Sequence, residues 1–444
     1  MKAQFLIGAP SSNSGKTTIT LALLRLLKNK GYQVQPFKCG PDYIDTKHHT
    51  LAAHQPGINL DTFMMSNAHV KDVYARYSQK ADVSIVEGVM GLFDGADKMQ
   101  GSSAEISILL DLPVILIINA KATAYSVAPL IYGFKQFDPR VKITGVIFNF
   151  VNTESHYRFL KEACEDVGVE ALGYIPAHEH IRIPSRHLGL VISREHDYEQ
   201  IIQRAAEHIE KTVNIERLLE ISAEKKQNSI PDKKRNALPG EKKLKIAVAK
   251  DEAFNFTYYE NIELLNQLGK ITYFSPMNDP CLPTADLVYL PGGYPELYLE
   301  ELSSNHSMKE SILNFCEQGG KVWAECGGMM YLGKEISDDK GTRFSMVDFL
   351  NMETTMKKGK LSLGYRRVQI DATTLYGHEF HYSSCVEKSG INSIGEVMNA
   401  KGIKVNTPIY RQKNVIASYI HFYWGENPGL FEILLDLPFQ KSYL

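Results

Sequence analysis

The feature that most restricts the fold is a glycine-rich turn between an apolar segment and an amphipathic helical pattern. Residues 4–8 are apolar and strand-like, and Gly15, Lys16 and Thr17 precede apolar side chains at helical spacing across residues 17–29. Backbone N–H groups at a helix start, a lysine and a threonine hydroxyl are the groups that bind phosphates and Mg²⁺ in a phosphate loop. This order predicts a strand, a phosphate loop and a helix that begin an α/β domain.

The match to the strict phosphate-loop pattern is incomplete. Pro10 stands where that pattern has Gly or Ala, and Gly8 and Ala9 come too early. A Gly-Lys-Thr tripeptide is common by chance, and the alternative is a polar turn with a helix cap. The position between a strand and a helix favours the phosphate loop. The residues predicted to bind ATP are Asn13, Ser14, Gly15, Lys16, Thr17, Thr18 and Lys38.

Strand-like and helix-like segments alternate through the first half of the chain. The strand-like runs are residues 4–8, 34–38, 83–87, 114–119 and 143–151, and Gly31 is placed to end the first helix. Alternation at this spacing predicts right-handed βαβ units and a mostly parallel sheet with helices on both faces. Ligands bind such sheets at the carboxyl ends of the strands, where Lys16, Lys38 and Glu87 lie.

Several oxygen-bearing side chains follow these strands. Mg²⁺ takes hydroxyl, carboxylate and water oxygens, which makes Thr17, Asp45 and Glu87 the predicted metal ligands. Asp42 and Asp94 are predicted, with Asp45, to contact the substrate. For Asp42, beside Pro41, and for Asp94, between glycines, the alternative is a structural role in a turn.

A change of composition divides the chain. Residues 224–243 are rich in charge and contain two prolines and a glycine, as expected for an exposed linker. We predict domains at residues 1–223 and 244–444, because 444 residues exceed one ordinary core. The second domain is predicted to be α/β, with later β-rich segments. Its strand-like runs are residues 244–249, 271–274, 287–290, 321–325, 361–370, 376–382 and 415–420.

A second reactive site is predicted at Cys326, which follows the strand-like residues 321–325 and precedes two glycines. A strand-to-helix turn exposes a nucleophile, and the N-terminus of a helix stabilises the thiolate. The backbone N–H of Gly327 is a predicted oxyanion donor, and the turn at Gly292 and Gly293 offers the other. His421 is the predicted base; taken alone, it would be assigned a structural role.

Composition excludes several classes of function. A net charge of −2 argues against general binding of nucleic acids or membrane surfaces, and no apolar run approaches the roughly 18–20 residues of a membrane span. The start of the chain has no signal-peptide pattern, and the six cysteines are too scattered for disulfides or a zinc site, which indicates a cytoplasmic protein. His378 and His381 would face opposite sides of a strand, which favours substrate contact or structure over metal binding.

Taken together, these motifs resemble the cobyrinate a,c-diamide synthase family. The matching segments occur in the expected order over nearly the whole chain, and their combination is far more specific than any one motif. They are residues 9–18, 38–45, 87–95, 184–190, 292–296, 324–328, 364–367 and 377–381.

The resemblance implies a domain similar to dethiobiotin synthetase followed by a class I glutamine amidotransferase domain. It implies amidation of the a- and c-carboxylates of cobyrinate with ATP, Mg²⁺ and L-glutamine or ammonia, in cobalamin biosynthesis. Lys16 and Lys38 would hold an acyl phosphate next to Asp42, Asp45 and Asp94. Cys326 would attack glutamine, with His421 moving protons. A homodimer is possible, but the sequence does not reveal the oligomeric state.

One residue departs from the wider amidotransferase pattern. Many class I enzymes have Glu two residues after the catalytic His, where this chain has Tyr423. The branch acting on cobyrinate and cobyric acid usually lacks that Glu too, so the resemblance holds. The sequence identifies no residue that orients His421.

Three alternatives remain at this stage. Relatives that amidate hydrogenobyrinate or nickel sirohydrochlorin share these motifs. An ATP-driven switch usually has an extra lysine early in its loop, which residues 9–14 lack, and has no use for Cys326. A scaffold with an inactive amidotransferase half would not need an intact Cys–His pair. The cations that would pair with a polycarboxylate, or else lie as surface charges, are Arg186, His187, Lys357, Lys358, Arg366 and Arg367.

Overall fold

A computed structural model describes residues 2–181, 197–223, 243–357, 359, 361–387, 392–427, 429, 431 and 433. The chain divides into two compact units, Met1–Lys233 and Lys234–Leu444. The dividing point lies inside the predicted linker, most of which is outside the described residues, and the predicted domain limits stay a prediction. The matched segment at residues 184–190, with Arg186 and His187, and Lys358 also lie outside the described residues.

The first unit alternates strands and helices, as predicted. In chain order its elements are β1 (Ala3–Gly8), α1 (Lys16–Asn29), β2 (Val34–Cys39), α2 (Asp45–Ala53), β3 (Ile58–Leu60), α3 (Asn67–Ser78), β4 (Val83–Glu87), α4 (Ser103–Leu109), β5 (Val114–Asn119), α5 (Val127–Phe137), β6 (Ile143–Asn149), α6 (Glu154–Asp166), β7 (Glu170–Ile175), α7 (Tyr198–Ile209) and α8 (Ile215–Ile221).

These strands form one parallel sheet in the order β3-β2-β4-β1-β5-β6-β7. The central strands are buried on both faces, which explains their continuous apolar runs. A core of Ile7, Leu23, Ile117 and Ile202 joins the sheet to α1 and α7. The C-cap of α1 is Lys30, and Gly31 follows it at φ 90°, the left-handed conformation typical of a glycine just past a helix end. The carboxyl ends of β1, β2 and β4 therefore meet at one edge of the sheet.

The second unit begins in the same way and then becomes mainly β. Its elements are β8 (Leu244–Ala249), α9 (Tyr259–Leu268), β9 (Gly269–Phe274), β10 (Leu287–Leu290), α10 (Leu299–Ser304), α11 (His306–Glu317), β11 (Lys321–Glu325), α12 (Gly327–Leu332), β12 (Gly333–Ser337), β13 (Arg343–Ser345), β14 (Leu350–Thr355), β15 (Ser362–Ile370), β16 (Thr373–His381), β17 (Ser384–Glu387), β18 (Asn392–Ser393), β19 (Glu396–Asn399), β20 (Ile409–Gln412), β21 (Val415–Ser418) and β22 (Ile420–Tyr423).

The described residues of this unit form three sheets. A seven-stranded sheet has the order β18-β20-β21-β11-β10-β8-β9, and its last five strands are parallel. Two four-stranded sheets have the orders β13-β12-β14-β17 and β19-β15-β16-β22. Trp323 and Ile416 of the large sheet share a core with Val368 and Phe422 of the second small sheet.

The β-rich character predicted for residues 415–420 is confirmed, but the segment contributes to two strands. The chain leaves β21 at Ser418 and enters β22 at Ile420, in a different sheet. The whole segment is buried, with Tyr419 in one hydrophobic core and Ile420 in the other, so burial does not change where the chain changes sheet. Period alone therefore cannot locate the change of sheet.

In the described part of the chain, no helix combines the length and apolar character that crossing a bilayer requires.

Candidate active sites

The conformation of the predicted phosphate loop depends on Gly15 and on Asn149, which is distant in sequence. Gly15 has φ 94° and precedes α1, and the Nδ2 of Asn149, the last residue of β6, donates to the Ser14 carbonyl at 3.0 Å. A Cβ on Gly15 would overlap the Asn149 amide. Asn13 is exposed with φ 61°, and Thr18 is half-buried in α1. The backbone of the loop therefore leads directly into the N-terminus of α1, where helix N–H groups can bind phosphate.

Lys16 follows this loop at the start of α1, and its ammonium group donates to two backbone carbonyl groups. Its Nζ donates to Met90 O at 2.5 Å and to Ser11 O at 3.3 Å. Burial and the nearby Lys38 charge lower the pKa of Lys16 to about 8. An anion at this position would stabilise the protonated lysine, so the site favours phosphate binding.

A buried ion-pair network lies beside the loop. Lys38 Nζ is 2.7 Å from Asp45 Oδ2 and 2.9 Å from Glu87 Oε1. Glu87 also accepts from the Thr17 hydroxyl at 2.7 Å and is 2.5 Å from His49 Nε2. Burial opposes the charge on Lys38, but Asp45 and Glu87 raise its pKa above the ordinary value. Burial likewise disfavours the Glu87 anion, yet Lys38 and His49 lower the pKa of that carboxyl.

The predicted Mg²⁺ ligands Thr17, Glu87 and Asp45 belong to one hydrogen-bonded network. Thr17 and Glu87 place a hydroxyl and a carboxylate 2.7 Å apart at the start of α1, and Asp45 joins them through Lys38. Mg²⁺ commonly takes one or two carboxylates together with phosphate and water oxygens, so this set fits the ion. Among the described residues, no cluster of three or more His, Cys, Asp or Glu forms a metal site on its own.

Asp42 and Asp94 shape turns next to the loop. Asp42 Oδ1 accepts the N–H groups of Ile44 and Asp45 at 3.0 and 2.9 Å, at the start of α2. Asp94 Oδ2 accepts the N–H of Gly91 at 3.0 Å. These contacts agree with the alternative, structural interpretation of both residues, and their predicted contact with substrate stays a prediction.

Cys326 occupies a strained turn between β11 and α12. Its backbone has φ 45° and ψ −105°, its N–H donates to Ser418 O at 2.7 Å, and its carbonyl accepts from Met330 at 3.0 Å. Glycine is required after it, since a Cβ on Gly328 would overlap the Leu290 carbonyl. A non-glycine residue is held at positive φ only where the surrounding structure demands it, and such residues cluster at functional sites.

The turn after β10 brings His421 and the predicted oxyanion donors to the same place. A Cβ on Gly292 would overlap the His421 ring, and a Cβ on Gly327 would lie 3.1 Å from the Gly293 nitrogen. The Gly292 carbonyl accepts from Phe256 N at 2.9 Å, which fixes this turn. Gly292, Gly293, Gly327 and His421 thus form one cluster around the Cys326 turn.

Comparison with known proteins identifies the family to which both halves of the chain belong. Family models match at residues 5–191, a CobQ/CobB/MinD/ParA nucleotide binding domain, and at residues 245–429, a CobB/CobQ-like glutamine amidotransferase domain. Curated cobyrinate a,c-diamide synthases align along almost all of the chain. That of Picrophilus torridus is 39% identical over 96% of this chain and 97% of its own. The Streptococcus sanguinis protein is 38% identical over 98% of both, and the Salmonella typhimurium protein 36% over 96% of both.

The chain belongs to the cobyrinate a,c-diamide synthase family. Among solved structures, a glutamine amidotransferase aligns with 43% of this chain and 97% of its own at 17% identity, with a TM-score of 0.30. A likeness this weak decides nothing about the fold or the activity.

Burial moves the pKa values of both Cys326 and His421 away from their charged forms. Burial and Glu296 raise the pKa of Cys326, although the Gly327 N–H partly offsets the effect. Burial, with His378 and His381, lowers the pKa of His421 to about 3. The expected stabilisation of a thiolate by the helix is outweighed, because α12 spans only six residues and the thiol is buried. Both pKa shifts disfavour a preformed thiolate–imidazolium pair at this site.

A second buried network borders this site. Glu379 accepts from Arg366 Nε at 2.6 Å, from Thr407 Oγ1 at 2.8 Å and from His381 Nε2 at 2.8 Å. Burial opposes the anion, but His381 and Arg366 lower the pKa of Glu379 to about 2. The His381 ring stacks on Tyr419 with centroids 3.7 Å apart. Arg366 is thus an internal ion-pair partner, and its predicted contact with substrate stays a prediction.

Sequence reasoning missed three residues of these sites. His49 lies four residues after Asp45 on α2, a spacing that places both on one helix face. Asn149 lies near the carboxyl end of the predicted strand 143–151, where ligand-side residues of a parallel sheet are found. Glu325 directly precedes Cys326, yet its contacts come from three separate strands. Only the first two had a signal in the sequence.

Proposed function

We propose that this protein converts cobyrinate to its a,c-diamide, using ATP and glutamine, in cobalamin biosynthesis. The observation that carries the proposal is the presence of a phosphate-loop site around Lys16 and a Cys–His site around Cys326 in one chain. Relatives named cobyrinate a,c-diamide synthase align over at least 94% of this chain at 36–39% identity. We place the reaction in the cytoplasm, where scattered thiols remain reduced.

The first half-reaction activates a carboxylate. An oxygen of the a or c carboxylate attacks the γ-phosphorus of ATP, so the bond to ADP breaks and an acyl phosphate forms. Lys16 and Lys38 neutralise charge on the transferring phosphoryl group, and the loop N–H groups hold the adjacent phosphates. Thr17, Glu87 and Asp45 would hold Mg²⁺, which supplies further positive charge to the phosphate oxygens. The ATP-binding role of Asn13, Ser14 and Thr18 follows from their places in the loop.

The second half-reaction releases ammonia from glutamine. His421 takes the Cys326 proton as the sulfur attacks the side-chain amide carbon, and the Gly327 and Gly293 N–H groups receive the oxyanion. The His421 proton passes to the leaving nitrogen, giving ammonia and a thioester. Water, deprotonated by His421, then hydrolyses the thioester to glutamate and free Cys326.

Ammonia completes the amidation. Its nitrogen attacks the acyl carbon, inorganic phosphate leaves with the bonding electrons, and one proton is lost to give the amide. Asp42, Asp45 and Asp94 border the loop where this step would occur. Two rounds of this sequence give the a,c-diamide.

The test is product mass and ATP turnover with cobyrinate, for the wild type and Cys326→Ala, with glutamine or with ammonium. We expect two successive mass losses of about 1 Da, and a variant that works only with ammonium. Unchanged cobyrinate with continuing glutamine hydrolysis would redirect the search to hydrogenobyrinate and nickel sirohydrochlorin. If no tetrapyrrole acid leads to consumption of glutamine or ATP, the ligase proposal fails and a switch or scaffold replaces it.

A further inference from the structure

Glu325 is a buried carboxylate that the two half-reactions do not use. It is the last residue of β11, directly before Cys326, and its exposed fraction is 1%. Oε1 accepts from the Trp323 indole at 2.9 Å and from the Phe422 backbone N–H at 3.1 Å. Oε2 accepts from the Tyr289 hydroxyl at 2.8 Å. Every hydrogen bond that the described residues make to this carboxylate thus comes from a neutral donor.

The bond to Phe422 links the strand of the nucleophile to the strand of the base. β11 pairs with β21 in the large sheet, with Glu325 opposite Ser418. The chain then leaves that sheet, and β22, which carries His421 and Phe422, pairs with β16 instead. The pairing of β11 with β21 therefore ends at Ser418, one residue before Tyr419. Beyond Ser418, the hydrogen bond between the Glu325 side chain and the Phe422 N–H connects β11 to β22.

We propose that Glu325 is a positioning residue for glutamine hydrolysis: its carboxyl oxygen fixes β22 so that His421 faces Cys326. The proposal rests on the glutaminase half of the proposed function. It accounts for the arrangement at Tyr423, where many related enzymes have an acidic residue to hold the imidazole. In this chain, Glu325 would hold the strand that carries His421, in place of an acidic residue that holds the imidazole itself.

The packing around Glu325 explains why one bond has this effect. Phe422 lies against Trp323 with ring centroids 5.3 Å apart, and Tyr289 contacts Trp424 at 4.8 Å. These aromatic side chains exclude water, so a lost acceptor would leave the Phe422 N–H unsatisfied in an apolar core. The strand would then shift to find another partner. A displacement of about 1 Å at a catalytic base lowers rates by roughly 100-fold.

Two substitutions separate the bond from the charge. Glu325→Gln removes the ionisable carboxyl but keeps an oxygen that accepts from Phe422 and Trp323. Glu325→Asp keeps the charge but withdraws the oxygen by one methylene. Tyr289→Phe is the matched control, since it removes a donor to Oε2 and leaves the bond to Phe422 in place.

The measurements are kcat and KM for glutamine hydrolysis, with ammonium-driven ATP turnover as the check on folding. We expect Glu325→Asp to lose roughly 100-fold in kcat with little change in KM. Glu325→Gln and Tyr289→Phe should stay within about threefold of the wild type. A low kcat in Glu325→Gln with a normal kcat in Glu325→Asp would overturn the proposal, because charge would then matter and position would not.

The remaining outcomes separate the role of Glu325 from packing, from misfolding and from the proposed function. Equal losses in Glu325→Asp and Tyr289→Phe would assign the effect to packing and overturn the proposal. If Glu325→Asp loses ammonium-driven turnover as well, labelling of Cys326 by a glutamine-like diazoketone in the soluble fraction replaces kcat, with the same expected order. A wild type that does not hydrolyse glutamine would refute the proposed function, and that result is visible without any Glu325 variant.

Discussion

The two sites have similar positions in their sheets and opposite electrostatics. Lys16 and Glu87 lie at the carboxyl ends of β1 and β4, and Cys326 lies at that of β11. The phosphate site contains ionised groups in direct contact, with Lys38 between Asp45 and Glu87. The cysteine site holds a thiol and an imidazole whose pKa values are moved away from charge by burial. Corresponding edges of two different sheets thus have opposite electrostatics, which the neighbouring side chains determine.

The difference follows from what each site must bind. ATP and an acyl phosphate bring negative charge, so the phosphate site needs cations whose own charge is balanced before the ligand arrives. The glutamine side chain is neutral, and the charge in its reaction is created and discharged within one proton transfer. The carboxylate that borders the cysteine site, Glu379, is already paired with Arg366.

The sharpest test of this contrast is Lys16→Met compared with Cys326→Ala. Removing the Lys16 cation should reduce ATP turnover roughly 1000-fold or more, because charge neutralisation is the main contribution to phosphoryl transfer. Basal glutamine hydrolysis should remain within about threefold, since this half-reaction does not use phosphate. Steady-state assays of both half-reactions provide the test. Loss of glutaminase activity in folded Lys16→Met would show that the two sites are not chemically independent.

The second test concerns stability. Glu87→Ala leaves Lys38 and His49 without their shared carboxylate, and breaking such a buried pair should cost about 3 kcal/mol in the free energy of unfolding. Since Lys38 and His49 lower the pKa of Glu87, the wild-type advantage should be present near neutral pH and decline as pH falls through that lowered pKa.

Urea unfolding at pH 7 and pH 4 measures the Glu87 effect. The control is Glu210→Gln, which removes the exposed pair with Lys30 and should leave stability unchanged. Equal effects of the two substitutions would mean that the Glu87 network does not stabilise the fold.

Glycine substitution tests the cysteine site. Gly292→Ala places a Cβ against the His421 ring, and displacing the imidazole should lower kcat for glutamine hydrolysis roughly 100-fold. Ammonium-driven amidation should persist. Gly133→Ala, on α5 with nothing within 4 Å of the added carbon, is the control and should leave both activities unchanged. A normal kcat in Gly292→Ala would place the working position of His421 elsewhere.

The sequence predicted the local parts of both sites better than their surroundings. The strands β4, β5, β8, β10 and β11 have the predicted bounds, because buried parallel strands are continuous apolar runs. The loop at Gly15 and the turn at Cys326 were found from glycines that close contacts require.

The parts that sequence reasoning missed depend on pairing between distant segments. Glu325 meets Tyr289 and Phe422 only because β10, β11 and β22 converge. The change of sheet at Tyr419 has no local signal for the same reason. The raised pKa of Cys326 also could not be read from its motif, since burial comes from the whole unit.

The smallest expected effect is a pH dependence that arises at the neutral site. Burial raises the pKa of Glu325 from its ordinary 4.5 to about 7, so the folded protein holds this proton more tightly than the unfolded chain. Its contribution to stability is therefore lost as pH rises through that range. Glutamine cannot ionise, and relative to Glu325→Gln the wild type should lose about 1 kcal/mol between pH 6 and pH 8.

Urea unfolding of both proteins across this pH range measures the Glu325 effect. Glu296, whose pKa burial also raises to about 7, is present in both and cancels in the difference. Parallel stability curves would show that Glu325 ionises as readily in the fold as in the unfolded chain. The carboxylate would then be a permanent charge beneath Cys326, and the contrast between an ionised and a neutral site would no longer hold.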